Sequence, residues 1–201
     1  MTSTIIKRSS RLALGIAAGT LTVTSLAGFA SANQPGTQDD AEPTIASTLN
    51  ASERQQVNAE VAENLRKSKG GKRISLNQIA WPKDGVVMTI PLPGEKRARP
   101  ADQPIGTKGD GCTYKRTCLY DYGDFEGREL EFYYCKFQKL RNYNFTNKTT
   151  SWANNQKGYP ESTLYYWTGS KVKYLTSLMG TQYDAYLSGS DNNRADFVRV
   201  C

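Results

Sequence analysis

The chain of 201 residues contains no histidine. That absence removes Ser-His-Asp and Cys-His catalysis, together with every metal site built on imidazole. No C-x2-C pair occurs either, so the usual pattern of a structural zinc site is missing. Apolar runs are scarce: only residues 12–26 approach the length of a membrane span, and Gly and Thr dilute them. Positive charge is not concentrated. Of the formal +7, three bases sit in residues 1–32 without an acid, residues 33–93 balance seven bases against seven acids, and residues 110–201 carry twelve bases against ten acids. A nucleic-acid surface needs a clustered basic face, so no nucleic-acid partner is expected. Tyrosine is absent ahead of Tyr114, although the chain has twelve.

The N-terminus has the pattern of a signal peptide over residues 1–32. Lys7, Arg8 and Arg11 precede the apolar stretch, and Ala30-Ser31-Ala32 offers a small-x-small cleavage site. This predicts a secreted, extracellular chain starting at Asn33, with no membrane attachment after cleavage; a membrane anchor is the competing reading. Residues 33–50 are polar, with Pro, Gly and acids, and are expected to be disordered. Residues 51–93 read as a helix plus a hairpin. Ser52 and Gln55 form a capping box, Val57, Val61 and Leu65 share one helix face, and Gly70-Gly71 stops it. Ile74, Leu76, Ile79 and Trp81 supply one hairpin arm, residues 82–85 the turn, and residues 86–90 the other arm. Such a unit is too small to hold a substantial core alone, so it either packs on something or is only partly ordered. Residues 94–109, with Pro, Gly and four bases, read as a linker. Within it Lys96-Arg97-Ala98-Arg99 is either a processing site or, as favoured here, a solvated spacer.

The four cysteines, Cys112, Cys118, Cys135 and Cys201, all lie beyond residue 110. An even number in an exported chain implies two disulfides, and three pairings are possible. The preferred pairing is Cys112–Cys118, a tight loop, and Cys135–Cys201, which would pin the C-terminal residue to the sheet. The long second loop is worth about 4 kcal/mol on the chain-entropy estimate. Strand-like runs recur at residues 128–134, 163–167, 171–175 and 197–201, punctuated by Gly, Asn and Asp. This predicts a mainly β, small antiparallel sandwich or barrel over residues 110–201.

Residues 117–155 carry a Tyr120-x6-Gly127 spacing and a later hydroxyl cluster, Thr149-Thr150-Ser151, closed by Trp152. A chain makes that arrangement when a hairpin folds over its own sheet: the aromatic props it, the glycine permits a positive φ, and the hydroxyl ties it down. With the short Cys112–Cys118 loop, the Phe125-Glu126-Gly127 turn and Ser151-Trp152-Ala153-Asn154, the segment resembles the small bacterial metalloproteinase inhibitors. The resemblance implies a βγ-crystallin-like Greek-key domain over residues 110–201, and a monomeric inhibitor that presents a rigid loop to a secreted thermolysin-like zinc protease. It places that loop at residues 174–183, with Leu175, Ser177, Leu178 and Met179 as candidate contacts. The second half departs from the pattern. It has no aromatic-x6-Gly spacing of equal quality, and no cysteines flank residues 174–183.

The same resemblance raises an alternative, a secreted βγ-crystallin-like binding module with affinity for calcium or a cell-wall polymer. Its calcium candidates are Asn147, in residues 146–151, and Asp191, in residues 191–196. Lys148 puts a positive charge beside the first, and the second lacks the hydroxyl pair. No cofactor is expected. Asp121, Asp124, Glu126, Glu129 and Glu131 could be imagined as a glycosidase pair. However, the first three fall in the turn, and Glu129 and Glu131 alternate on the expected solvent face of a strand, so no enzyme is expected. The tyrosines could also form a carbohydrate-binding surface, although most should be core or rim.

Overall fold

Asn50 sets where the first long helix begins. The computed structural model describes residues 43–105, 111–158 and 160–201. The expected signal peptide, residues 33–42 of the expected disordered segment and residues 106–109 of the expected linker lie outside the described residues. The helix α1 (Ile45–Thr48) is a single turn, and α2 (Ala51–Lys67) follows it. Asn50 Oδ1 accepts from the Glu53 amide at 2.9 Å, while the Glu53 carboxylate accepts from the Asn50 amide at 2.8 Å. This capping box lies two residues ahead of the expected Ser52–Gln55 pair. Glu53 prevails because its charge also meets the positive end of the helix, which the neutral Gln55 cannot do. Val57 and Val61 are buried; the next inward position is Asn64, and Leu65 is half-buried. Residues 43–50, expected within the disordered segment, instead dock on the chain ahead. Ile45 is buried, and the Ile45 and Ala46 amides donate to Gln103 O and Ala101 O at 3.0 and 2.7 Å.

Among the described residues eleven strands follow: β1 (Lys72–Arg73), β2 (Gln78–Trp81), β3 (Val86–Thr89), β4 (Thr117–Tyr120), β5 (Glu129–Phe132), β6 (Phe137–Lys139), β7 (Ser151–Asn154), β8 (Ser162–Trp167), β9 (Val172–Leu178), β10 (Gln182–Asp184) and β11 (Phe197–Arg199). The first sheet has the order β1-β2-β3-β5-β4-β7-β10 and the second β6-β11-β8-β9. Every strand pairing is antiparallel. The protein is mainly β, as the sequence predicts. The hairpin of β2 and β3 turns at residues 82–85, where Gly85 has φ +65° and a Cβ would lie 2.4 Å from the Tyr134 ring. Any side chain there would collide, which is why the turn needs glycine.

Beyond β3 the chain makes two similar sets of four strands. In each set the third strand crosses to the other sheet: β6 joins β11, and β10 joins β7. Leu119 of β4 faces Trp152 of β7, and Leu164 of β8 faces Val198 of β11 in the same way. The two sets meet through a reciprocal pair of bonds. The Asn147 amide donates to Ala195 O at 2.9 Å, and the Asn193 amide donates to Thr149 O at 3.0 Å. Both asparagines adopt positive φ, 55° and 54°, which Asn tolerates better than most residues. Both expected disulfides are present, Cys112–Cys118 and Cys135–Cys201.

The N-terminal hairpin shares the core of these strands. A single row, Ile79–Met88–Leu130–Leu119–Trp152, crosses β2, β3, β5, β4 and β7, and all five side chains have no exposure. Full burial of such a side chain is worth about 1.5–3 kcal/mol. The segment expected to be a linker is also tied down as far as residue 105. Asn77, fully buried, donates to Ile90 O and Arg99 O at 2.6 and 2.8 Å and accepts from the Ala101 amide at 2.9 Å. Lys96 O accepts from the Gly127 amide at 2.7 Å, and Ala98 and Ala101 are buried. The backbone of Lys96-Arg97-Ala98-Arg99 is therefore held to the fold and not a free spacer, with Ala98 buried and the Lys96 and Arg97 side chains exposed.

Helix α2 is held to the sheets by a buried arginine. Arg128 Nε and Nη2 donate to the Asp121 carboxylate at 2.5 and 3.0 Å, and Nη1 donates to Asn64 Oδ1 of α2. Asn64 Oδ1 also accepts from Asn144 Nδ2 at 3.0 Å. Removing one member of a buried pair leaves an uncompensated charge. Accordingly, Arg128→Met should lower unfolding free energy by about 3–5 kcal/mol in urea titrations, and a second substitution, Asp121→Leu, should recover much of that loss. Equal loss in single and double variants would contradict the account.

Candidate functional site

The folded hairpin between β4 and β5 is the most tightly specified surface feature. Tyr120 is buried and meets Phe125 edge-on, with ring centroids 5.4 Å apart. Gly127 has φ +80°, and a Cβ there would lie 2.8 Å from the Tyr122 ring. Ser151 Oγ accepts from the Phe125 amide at 3.1 Å and donates to Tyr122 O at 2.6 Å. Trp152 contributes its ring to the core row. These four residues lock the hairpin down and leave Tyr122, Tyr183 and Tyr186 exposed at its edge.

The acids of this region are engaged in structure. Asp121 is paired with Arg128, Asp124 accepts from the Tyr186 hydroxyl, and Glu126 stands 3.5 Å from Lys96. Glu129 and Glu131, expected on a solvent face, do lie opposite the apolar row, but Ala98, Pro100 and Gln103 cover them around a hollow of about 350 Å³. Glu129 is only 7% exposed and accepts from the Tyr120 hydroxyl at 2.8 Å. Burial, then the neighbouring Glu131 charge, push its carboxyl up to about 8. Burial and the same glutamates raise the Tyr120 hydroxyl as well. Glu129, Glu131 and Cys118 bring ligand atoms within 4.8 Å of one another. The sulfur belongs to a disulfide, however, so it offers no thiolate to a metal.

The calcium candidates separate. Asn147 is exposed beside a hollow of about 350 Å³ that Asp121, Lys148, Thr150 and Asn193 also line. Thr150 Oγ1 already donates to Asn193 Oδ1 at 3.2 Å, and Arg128 occupies both Asp121 oxygens. Asp191 lies outside this hollow, in a 3-10 turn over Gly189–Asp191. Strand pairing makes residues 192–197 the counterpart of residues 146–151, one position later than the expected 191–196, because Val198 faces Leu164 as Trp152 faces Leu119. That counterpart borders a second hollow, of about 330 Å³, lined by Lys139, Arg141, Thr146, Trp167, Asp196 and Phe197. Hard cations need several free, mostly anionic oxygens, which neither hollow offers.

The expected protease-facing loop is largely strand. Leu175 is buried in the core, Ser177 pairs with Thr163, and Leu178 is half-buried opposite Ser162. Leu175 is therefore not available to a partner; it is the extra residue at the register shift of β9, between Tyr174 paired with Tyr165 and Thr176 paired with Leu164, and it is buried there. Met179 alone of the four emerges, 43% exposed, at the β9–β10 turn. That turn is braced without a flanking disulfide. Asn154, fully buried, donates to Leu178 O at 2.9 Å and Pro160 O at 2.8 Å, and its own carbonyl accepts from the Thr181 amide at 2.6 Å. Gln182 Oε1 accepts from the Met179 amide at 2.8 Å. The sequence shows Asn154 only as the last letter of the Ser151–Asn154 motif, and nothing in it marks Asn77 or Asn64.

No helix among the described residues is long and apolar enough to cross a membrane. Comparisons with family models, with curated proteins and with solved structures find no match to this chain.

Two outcomes follow from these donors and acids. The folded state holds the Glu129 proton more tightly than the unfolded chain does, so stability is full below about 4.5 and falls as pH climbs towards about 8. Thermal melts across that window should show the decline, and Glu129→Gln should flatten it and raise the melting temperature near pH 8. A flat profile in the unsubstituted chain contradicts the assignment. Added calcium should leave the melting temperature unchanged, whereas a concentration-dependent rise would mean that one of the hollows does bind the ion.

Proposed function

We propose that the chain is an exported inhibitor of thermolysin-like zinc metalloproteases, a βγ-crystallin-like pair of Greek keys that offers the β9–β10 turn to the enzyme. The exchange of the third strand between the sheets supports the Greek-key reading, and the disulfides are compatible with an extracellular setting. The observation that carries the proposal is the turn itself. Asn154 and Gln182 hold its backbone while Met179 stands out as an apolar tip. A turn held in one shape before docking loses less entropy on binding, which answers the absence of a bracketing disulfide. Met179 is the side chain for a pocket that prefers bulky apolar residues, and Leu178 and Ser177 support it from the strand. The inhibitor works as a monomer and needs no cofactor.

The engaged oxygens described above weigh against calcium in the alternative, a secreted module for calcium or a wall polymer. Polymer binding remains compatible with inhibition.

Titration of the purified chain against a thermolysin-like protease should give stoichiometric loss of peptidase activity. Met179→Asp should weaken inhibition about 30-fold or more, the roughly 2 kcal/mol of an interface hot spot, with the melting temperature unchanged. Unchanged peptidase activity at a molar excess of the chain rejects the proposal.

A further inference from the structure

The outer face of the second sheet carries aromatic side chains that the fold does not need. Alternation puts Leu164 and Val198 inward, so Tyr165, Trp167 and Phe197 face out. Strand pairing then aligns Tyr174 with Tyr165, and Val172 with Trp167. Phe137 of β6 completes the surface, stacked on Phe197 at 5.3 Å and tilted against Tyr165 at 5.6 Å. Trp167 is 50% exposed, Phe137 45% and Tyr174 60%. Apolar side chains grouped this way on a solvated sheet mark a binding surface rather than ordinary scatter.

The unengaged charge beside them is positive. Lys139 and Arg199 lie within the same ladder, and Arg199 stands over the Tyr165 ring at 5.8 Å. Arg141 joins Lys139 in the hollow of about 330 Å³ whose wall is Trp167 and Phe197. All three bases are exposed, and none makes an ion pair among the described residues. The one acid in the hollow, Asp196, is engaged: its Oδ2 accepts from the Trp167 amide at 2.7 Å, which also fixes the root of that side chain.

We propose that this face binds an acidic polysaccharide, with Trp167, Tyr165, Phe197 and Tyr174 stacking on the apolar faces of sugar rings while Lys139, Arg141 and Arg199 receive their carboxylates. Aromatic rings present a flat apolar body to such faces. The guanidinium fork pairs with carboxylate in two-point geometry. Three bases around a broad aromatic platform suit a polymer with widely spaced charges. A nucleic-acid strand, charged at every residue, calls for a continuous basic track, and residues 110–201 carry only twelve bases against ten acids. This surface lies on the second sheet and does not use Met179, so it stands or falls separately from protease inhibition.

Tryptophan fluorescence reads the test directly, because Trp81 and Trp152 are 3% and 0% exposed and Trp167 is the accessible indole. Hyaluronate, which carries a carboxylate on every second sugar, should produce a saturable change that weakens as salt is added. Calorimetry should show affinity falling about tenfold or more in Trp167→Ala, and likewise in the Lys139→Glu, Arg199→Glu double variant. Tyr183→Ala, on the other sheet, should bind as the unsubstituted chain does. Absence of binding, equal binding of neutral dextran, or affinity indifferent to these substitutions overturns the proposal. So does tighter binding to single-stranded DNA or anionic vesicles, or a self-association that Trp167→Ala abolishes.

Discussion

One uninterrupted apolar row, Ile79 to Trp152 through Met88, Leu130 and Leu119, underlies the architecture. Because paired residues on a sheet share a face, placing Trp152 inward obliges its partners on four neighbouring strands to be inward too. Two of those strands belong to the N-terminal hairpin. A hairpin of that size has little core of its own, and here it becomes the flank of a larger sheet. Helix α2 is fastened to it through Val57, Val61 and the bonds that Asn64 accepts from Arg128 and Asn144. With the apolar groups fixed on one side, the other sides of both sheets are left for different uses.

The two four-strand sets use those sides differently. In the first set, Ser151 ties a folded hairpin whose Tyr120 and Gly127 are committed to holding it. The matching place in the second set is Phe197, which cannot donate or accept, and the neighbouring Asp196 takes the Trp167 amide instead. The β8–β9 connection is correspondingly short, running from Trp167 to Val172. A short turn needs no aromatic prop and no glycine six residues on. This is the physical reason the second half lacks the spacing found in the first. Freed from that duty, its aromatic residues stand on the surface.

Much of this was legible in the chain, and the failures have a common cause. Alternation and turn residues marked β3, β5, β8, β9 and β11, and cysteine parity with loop length marked both disulfides. The Ser151 tie could be read because its partners lie within thirty residues and in a recognisable order. What stayed hidden depended on contacts between distant segments. Glu129 has the right face of β5 for solvent but lies under residues 98–103. Those residues look like a spacer by composition, and the side chain that anchors them, Asn77, is one asparagine among many. Leu175 departs from expectation for a related reason: a loop expected from resemblance lengthens into strand when its apolar residue has a core to enter. Asn50 prevailed over Ser52 as the cap through a charge effect that the pattern alone does not rank.

The β3–β5 ladder has a further consequence for the fate of the polypeptide. Both disulfides lie within residues 112–201, so nothing covalent except the main chain connects the N-terminal hairpin to the strands beyond it. A peptidase that clipped the backbone just after Ile105 would separate two fragments on a denaturing gel. In native buffer the same fragments would still migrate together, since β3 and the apolar row hold them. Maturation by a cut at that place would thus produce a two-chain molecule, and shedding the hairpin would lay bare the β5 edge, a ready template for aggregation.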